Sequence, residues 1–184
     1  MKGGALRVSR RLDGLRRTVR VALHLLGGVR VAVVGQSMHP TLRDGDRLLV
    51  SRMAYRRRRP RRGEIVLLRA RAGGARNPES IKRIVGLPHE RVQVVAGEVH
   101  LDGRSLPEPY LARPASEAER AMRAAALALR PPCEWRLGAD EYIVLGDNRA
   151  RSTDSRAFGP LRRRDIVGRA WYRYAPRGRA GRPG

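Results

Sequence analysis

The sequence predicts a mainly β fold: a compact antiparallel β-sheet core with an inserted helical and β excursion. Three observations carry this. From Val29 onward, short apolar runs are separated by turn residues at close intervals. One segment, Ala115–Arg130, is rich in Ala, Glu, Arg and Leu, contains no Gly or Pro, and reads as a single helix. The strand–helix alternation that builds a doubly wound parallel sheet is missing. The chain has 184 residues, which suits one domain, or one domain with an insertion. Its 41% hydrophobic content is enough for a core, filled by Val, Leu, Ile and Ala because aromatics are scarce.

Taken in order, Val29–Val34 is apolar and reads as the first strand. Asp44-Gly45-Asp46 is a turn, and Arg47–Ser51 follows as a strand. Arg56–Arg62 is a basic turn broken by Pro60. Ile65–Leu68 is a short strand, and Arg71–Pro78 is a loop with Gly73, Gly74, Asn77 and Pro78. Ile81–Val85 and Arg91–Val95 are strands joined by a turn at Leu87-Pro88. Gly97 and Asp102-Gly103 punctuate a hairpin over Glu98–Leu106. Pro131-Pro132 ends the helix, Glu141–Leu145 is a strand, and Ile166–Tyr174 is the last strand. Three segments result: a basic N-terminal stretch (1–28), a core (29–176) with an insertion at about 98–140, and a Gly/Arg/Pro tail (177–184) expected to be disordered. No internal repeat is present.

The net charge is +23, with arginines spread along the whole chain. Such a surface is drawn to polyanions, either acidic lipid head groups or nucleic acid. Cys133 is alone, so no internal disulfide forms and the redox compartment is left open. In the N-terminal stretch the longest uncharged run before Arg30 is nine residues, Val21–Val29. A spanning helix needs about 20 apolar residues. The segment is basic and weakly amphipathic, which suits a helix lying on a membrane surface. A soluble helix with Arg on one face is the alternative. A true span or a cleaved signal peptide fits less well, because Arg30 interrupts the apolar run.

Of 40 basic residues only Lys2 and Lys82 are lysines. Lys82 lies inside the apolar run Ser80–Gly86. An ammonium can lose its proton when buried, whereas a guanidinium cannot, so Lys82 is a candidate base. Composition alone leaves open that it is a survivor of codon drift. Two further motifs bear on this. In Gly35-Gln36-Ser37-Met38-His39-Pro40-Thr41-Leu42, a Gly before a Ser at a strand end permits close backbone approach, and Pro40 stiffens the exit. Gly146-Asp147-Asn148 with Ser152-x-Asp154-Ser155-Arg156-x-x-Gly159 is a Gly-bounded loop dense in hydrogen-bonding side chains.

Together these motifs, in this order and spacing, resemble a type I signal peptidase: Ser37-Met38-x-Pro40-Thr41, Lys82-Arg83-x-Val85-Gly86-Leu87-Pro88, and the Gly146–Gly159 loop. Glu108-Pro109-Tyr110-Leu111 resembles a further segment of that family. The likeness covers about residues 29–176. It implies a Ser/Lys dyad with Ser37 as nucleophile and Lys82 as general base, and no cofactor. Ser152 matches a residue that orients the lysine, and Asp154 with Arg156 a pair that braces the site. Met38, Pro40 and Thr41 match residues shaping the nucleophile turn, and Gly146, Asp147 and Asn148 the supporting loop. Where some members carry an oxyanion-hole hydroxyl, this chain has Gly35, so the hole rests on backbone N–H groups, beginning with that of Ser37. The resemblance further implies signal-peptide-bearing pre-proteins as substrates, with small side chains one and three residues before the cut. It also implies association with a bacterial plasma membrane, catalytic domain outward. The family normally carries a spanning helix, and none is evident in this sequence.

The chemistry is consistent with that resemblance. A serine hydroxyl needs an adjacent base, and burial lowers a lysine pKa. The competing Ser-His-Asp reading fits poorly. His39 is too close in sequence to Ser37 to turn back on it, and His24, His89 and His100 lie outside the polar motifs. No HExxH, paired Cys or His pair at ligand spacing suggests a metal. The arginines at 56–59, 61 and 62 read as a solvated turn, with anion binding as the alternative. Two rival functions stay in view. One is a maturation protease of the same family acting on a single soluble precursor. The other is a basic nucleic-acid-binding module, disfavoured because there are only eight aromatics, four of them within Phe158–Tyr174, to act as stacking platforms. Oligomeric state is not legible.

Overall fold

The computed structural model describes residues 28–69, 79–111, 114 and 116–184. The basic stretch before Gly28, the 71–78 loop and Ala115 lie outside the described residues.

Seven strands form one antiparallel sheet in the order β1 (Gly28–Ala32), β2 (Arg47–Ser51), β11 (Ile166–Ala175), β3 (Ile65–Arg69), β4 (Glu79–Gly86), β9 (Glu141–Leu145), β10 (Leu161–Arg162). A second antiparallel sheet has the order β7 (Arg104–Ser105), β6 (Glu98–Leu101), β5 (Arg91–Val95), β8 (Cys133–Arg136). The fold is mainly β, as the sequence predicts.

Strand β3 explains the layering. Its Ile65, Val66, Leu67 and Leu68 are all buried, so both faces of the large sheet are covered. Ile65 and Leu67 pack with Val33, Met38, Leu42, Leu48 and Val50 in one cluster. Val66 and Leu68 pack with Tyr55, Ile84, Tyr142, Val144 and Ile166 in another. Alternation along the strand directs successive side chains to opposite faces. A third cluster, Val85, Val92, Val94, Val99, Leu137, Ile143 and Leu145, joins the small sheet to the end of β4 and β9.

The excursion is wider than the sequence suggests. Strands β4 and β9 pair directly, Arg83 with Leu145 and Ile84 with Val144, so everything from Leu87 to Asp140 is inserted between them. Strand β5 therefore belongs to the insertion, which begins near residue 87 and not near 98. The hairpin between β6 and β7 turns at Asp102 and Gly103, both at positive φ. Helix α1 (Glu117–Ala128) starts at Ser116, whose hydroxyl accepts from the Glu119 N–H at 3.1 Å. The sequence does not predict strand β8 or the short helix α2 (Ser155–Phe158), the latter because its sequence reads as loop.

The tail also departs from expectation. Residues 177–184 are not disordered. They form a 3-10 turn over Arg177–Arg179, and Gly181 pairs with Arg173 through N–H to carbonyl bonds of 2.7 and 2.9 Å. Its composition misleads because one of its arginines, Arg179, donates to the buried carboxylate of Asp46 instead of standing as a solvated charge.

Strand β11 crosses β2 with a close approach at Gly168, where an added Cβ would lie 2.5 Å from the Ser51 carbonyl oxygen. Gly168→Ala should therefore destabilise the fold by about 1–3 kcal/mol. The melting temperature should fall by roughly 2–4 °C per kcal/mol in a chain of this size, with strand content unchanged by circular dichroism.

Candidate active site

Ser37 lies in the turn that follows β1. Gly35 enters it at φ +85, a conformation that favours glycine, and its N–H donates to Asp44 Oδ1 at 2.7 Å. The chain then makes a helical turn, with the Leu42 N–H donating to the Met38 carbonyl at 2.9 Å. Met38 and Leu42, both buried, anchor this turn in the first cluster. Pro40 and Thr41 are half-buried in the same turn.

Lys82 comes from β4, opposite Val66 in register. It is 4% exposed, and its Nζ donates to Ser37 Oγ at 3.1 Å and to the Ile81 carbonyl at 2.9 Å. Burial pushes its pKa below the ordinary lysine value. The carboxylates of Asp154 and Asp147 act in the opposite direction without cancelling the shift.

Those two aspartates are each claimed by an arginine. Arg156 binds Asp154 through Nε to Oδ1 and Nη2 to Oδ2, both at 2.8 Å. Burial raises the Asp154 pKa, but these bonds, the Arg156 charge and the Gly146 N–H at 3.0 Å outweigh it, and the net shift is downward. Arg83 binds Asp147 through Nε to Oδ1 at 2.9 Å and Nη2 to Oδ2 at 2.7 Å. Thr41 Oγ1 donates to the same carboxylate at 2.5 Å.

The loop after β9 closes the site. The Asn148 N–H donates to the Ser37 carbonyl at 3.0 Å. Gly146 has no room for a side chain, since a Cβ there would lie 2.2 Å from Ser152 Oγ and 2.5 Å from the Ser37 carbonyl oxygen. Ser152 is buried, and its Oγ makes no bond of full hydrogen-bond geometry among the described residues. Arg151 Nη1 reaches Gln36 Oε1 at 3.0 Å, a further tie between loop and nucleophile turn.

The residues singled out from sequence lie in this turn, strand and loop, and among the described residues no hydrogen bond joins Ser152 to Lys82. The sequence motif containing Arg83 implies no role for it, yet it is 2% exposed and central. Its Cζ also sits 3.9 Å from the centre of the Tyr110 ring. The Tyr110 hydroxyl donates to Glu108, which pairs with the buried Arg149. Arg149 in turn donates to the carbonyls of Gly146 at 3.1 Å and Gly97 at 2.6 Å. Arg130, just past α1, donates to the Ala150 carbonyl at 3.0 Å. The available signal was an arginine inside a buried strand, which requires a partner. A cavity of about 360 Å³ lies away from Ser37, lined by Arg62, Glu64, Arg83, Arg169 and Pro183. No group of His, Cys, Asp and Glu able to hold a metal occurs among the described residues.

The family model described as signal peptidase, peptidase S26, matches residues 19–175. A signal peptidase I from Leptolyngbya laminosa is 35% identical over 187 residues, covering 94% of this chain and 84% of that protein. A probable signal peptidase I-2 from Synechocystis sp. is 37% identical over 179 residues, covering 91% of this chain and 75% of that one. Signal peptidase IB of Staphylococcus aureus is 31% identical over 149 residues, covering 78% and 76%. The crystal structure of a signal peptidase I from Enterococcus faecalis V583 aligns with a TM-score of 0.48 at 28% identity, over 61% of this chain and 97% of that one. The chain belongs to the signal peptidase family, peptidase S26, and is a serine endopeptidase that cleaves signal peptides from precursor proteins.

Proposed function

We propose that Ser37 is the nucleophile and Lys82 the general base. The observation that carries this is the 3.1 Å contact between Ser37 Oγ and the amine of a lysine that is 4% exposed. The neutral amine accepts the Ser37 proton as Oγ attacks the scissile carbonyl. The resulting ammonium protonates the departing amine, leaving an ester on Ser37. Lys82 then removes a proton from water, which hydrolyses the ester and regenerates the hydroxyl.

The oxyanion needs donors. The Gly35 N–H is taken by Asp44. The Ser37 N–H has no hydrogen-bond partner among the described residues, which supports it as one donor. Ser152, buried beside Asp154, is assigned to orienting the amine. Met38, Pro40 and Thr41 shape the turn, and Gly146, Asp147, Asn148, Asp154 and Arg156 hold the loop against it.

The substrate is assigned as an extended peptide along a sheet edge, with small residues one and three positions before the cut. Such a peptide needs a groove, so the absence of Ser37 from the lining of the 360 Å³ cavity is no obstacle. The catalytic unit is assigned to residues 29–184, with 87–140 as the excursion. Signal peptidases I are membrane-associated. Among the described residues no helix is long and apolar enough to cross a membrane. The basic 1–28 segment and the +23 charge support attachment to an anionic leaflet, and the likeness to signal peptidases I is the ground for assigning the catalytic unit to the outer side of a bacterial plasma membrane.

Ser37→Ala and Lys82→Ala should each lower kcat on the order of 10⁴-fold or more with the melting temperature little changed, and the double variant should be no worse than either. Lys82→Arg should be equally inactive, because a guanidinium stays charged. Cleavage of a model pre-protein measures all four, and robust activity in Lys82→Arg would remove the dyad.

Because the active form is the neutral amine, kcat should rise with pH through an apparent pKa below that of a free lysine, about 10.4, and then level off. A rate that only begins to rise at the free-lysine value would mean the amine is solvated.

The 184-residue chain should pellet with anionic vesicles at low salt and release at salt on the order of 0.5–1 M. Removal of residues 1–27 should abolish most of that binding. Resistance to both high salt and carbonate would mean an inserted segment instead.

A further inference from the structure

We propose that residues 173–184 form a clasp that fixes the nucleophile turn against the lysine strand, making Arg173 and Arg179 positioning residues. This rests on the Ser37/Lys82 reading.

The sheet order creates the need. Strand β1 leads into Ser37 and β4 carries Lys82, but β2, β11 and β3 lie between them. No ladder of adjacent strands sets the distance from Ser37 to Lys82. Asp147 and Asn148 tie the turn to the β4 side from the loop after β9, and the C-terminal segment holds it from the opposite end of the chain.

The clasp binds the turn at its far end. A carbonyl at the end of a helical turn has no partner within the turn. The Thr41 carbonyl accepts instead from Arg173 Nη1 at 2.9 Å and Arg179 Nη2 at 3.4 Å. Asp46, 1% exposed, anchors the same arginines. It accepts from Arg179 Nη1 at 2.9 Å and Arg173 Nη1 at 3.4 Å, and from the Arg43 N–H at 2.9 Å within the turn. The Asp46 carbonyl also receives the Val33 N–H at 2.8 Å, close to the start of the nucleophile motif.

The other end of the clasp binds the lysine strand. Arg83, the residue after Lys82, donates from Nη1 to the Gly184 oxygen at 3.1 Å. Gly184 also abuts the turn: a Cβ on it would lie 3.2 Å from Thr41 Cγ2. The Arg173–Gly181 pairing closes the intervening loop on itself. One short segment thus touches both halves of the dyad's support while touching neither Ser37 nor Lys82. Its effect falls on their relative placement, and so on the chemical step more than on substrate binding.

The test compares the wild-type chain, a chain lacking residues 177–184, Arg179→Ala, Arg179→Lys and Ser37→Ala on one pre-protein, well below each variant's melting temperature. A misplacement of about 1 Å is worth on the order of 100-fold in rate. We expect the truncation and Arg179→Ala to lose kcat by that order with KM unchanged. Arg179→Lys should lie between, since one ammonium serves Asp46 but not Thr41 as well. A synthetic peptide of residues 177–184 should restore part of the lost kcat to the truncated chain. Wild-type kcat in Arg179→Ala overturns the clasp, as does a loss explained wholly by the unfolded fraction. If truncation prevents folding, the two Arg179 variants decide by the same kcat-against-KM split. Activity retained in Ser37→Ala would refute the dyad itself, whereas a dead Ser37→Ala beside a fully active truncation refutes the clasp alone.

Discussion

A buried amine that must lose its proton governs the rest of this site. Desolvation of Lys82 favours the neutral form, but the charges of Asp154 and Asp147 favour the ammonium. Uncompensated carboxylates would favour the ammonium more strongly. Each is instead held by a guanidinium through two hydrogen bonds, Asp154 by Arg156 and Asp147 by Arg83. The arginines oppose the carboxylate field at the lysine, and Arg156 also holds the Asp154 pKa below the ordinary carboxylate value. Lysine and arginine thus divide the work by their chemistry: one can be discharged, the other cannot.

The same pairs carry the geometry. Asp147 connects β4, through Arg83, to the nucleophile turn, through Thr41. Asp154 holds the Gly146 N–H in place, and Gly146 lets Ser152 and the Ser37 carbonyl approach within distances that a methyl group would prevent. Breaking one side of such a buried pair costs roughly 3–5 kcal/mol, because a charge is stranded. The inserted segment joins this network through Glu108 and Tyr110, and Arg149 reaches the Gly97 carbonyl between β5 and β6. The segment is therefore tied to the catalytic loop by ionic contacts as well as by the apolar cluster around Val85 and Val92.

Local signals are legible in this sequence, and remote ones are not. The Asp102-Gly103 turn, the run Arg47–Ser51 and the helix after Ser116 declare themselves through near-neighbour chemistry, and the structure has each of them. The serine and lysine motifs were legible because each is compact in sequence. What escaped was pairing at a distance. Arg83 and Asp147 are 64 residues apart, and Arg179 and Asp46 are 133 apart, so neither partner is visible from the other. The tail reads as disordered because it has little to bury, yet it is held by charge-assisted hydrogen bonds to acceptors that the fold supplies. Strand β8, Cys133–Arg136, has only four residues of alternation, too few to separate from a loop.

Only Lys2 and Lys82 are lysines in this chain, which makes the central claim directly measurable. Protein grown with lysine labelled at the ε-carbon gives two resonances, and Lys82→Arg assigns one of them. Followed by NMR across pH, the Lys82 signal should titrate clearly below the Lys2 signal, and replacing Ser37 by Ala should leave that order unchanged. If both signals titrate together at the ordinary lysine value, Lys82 is not held neutral by its surroundings, and the account of this site is wrong.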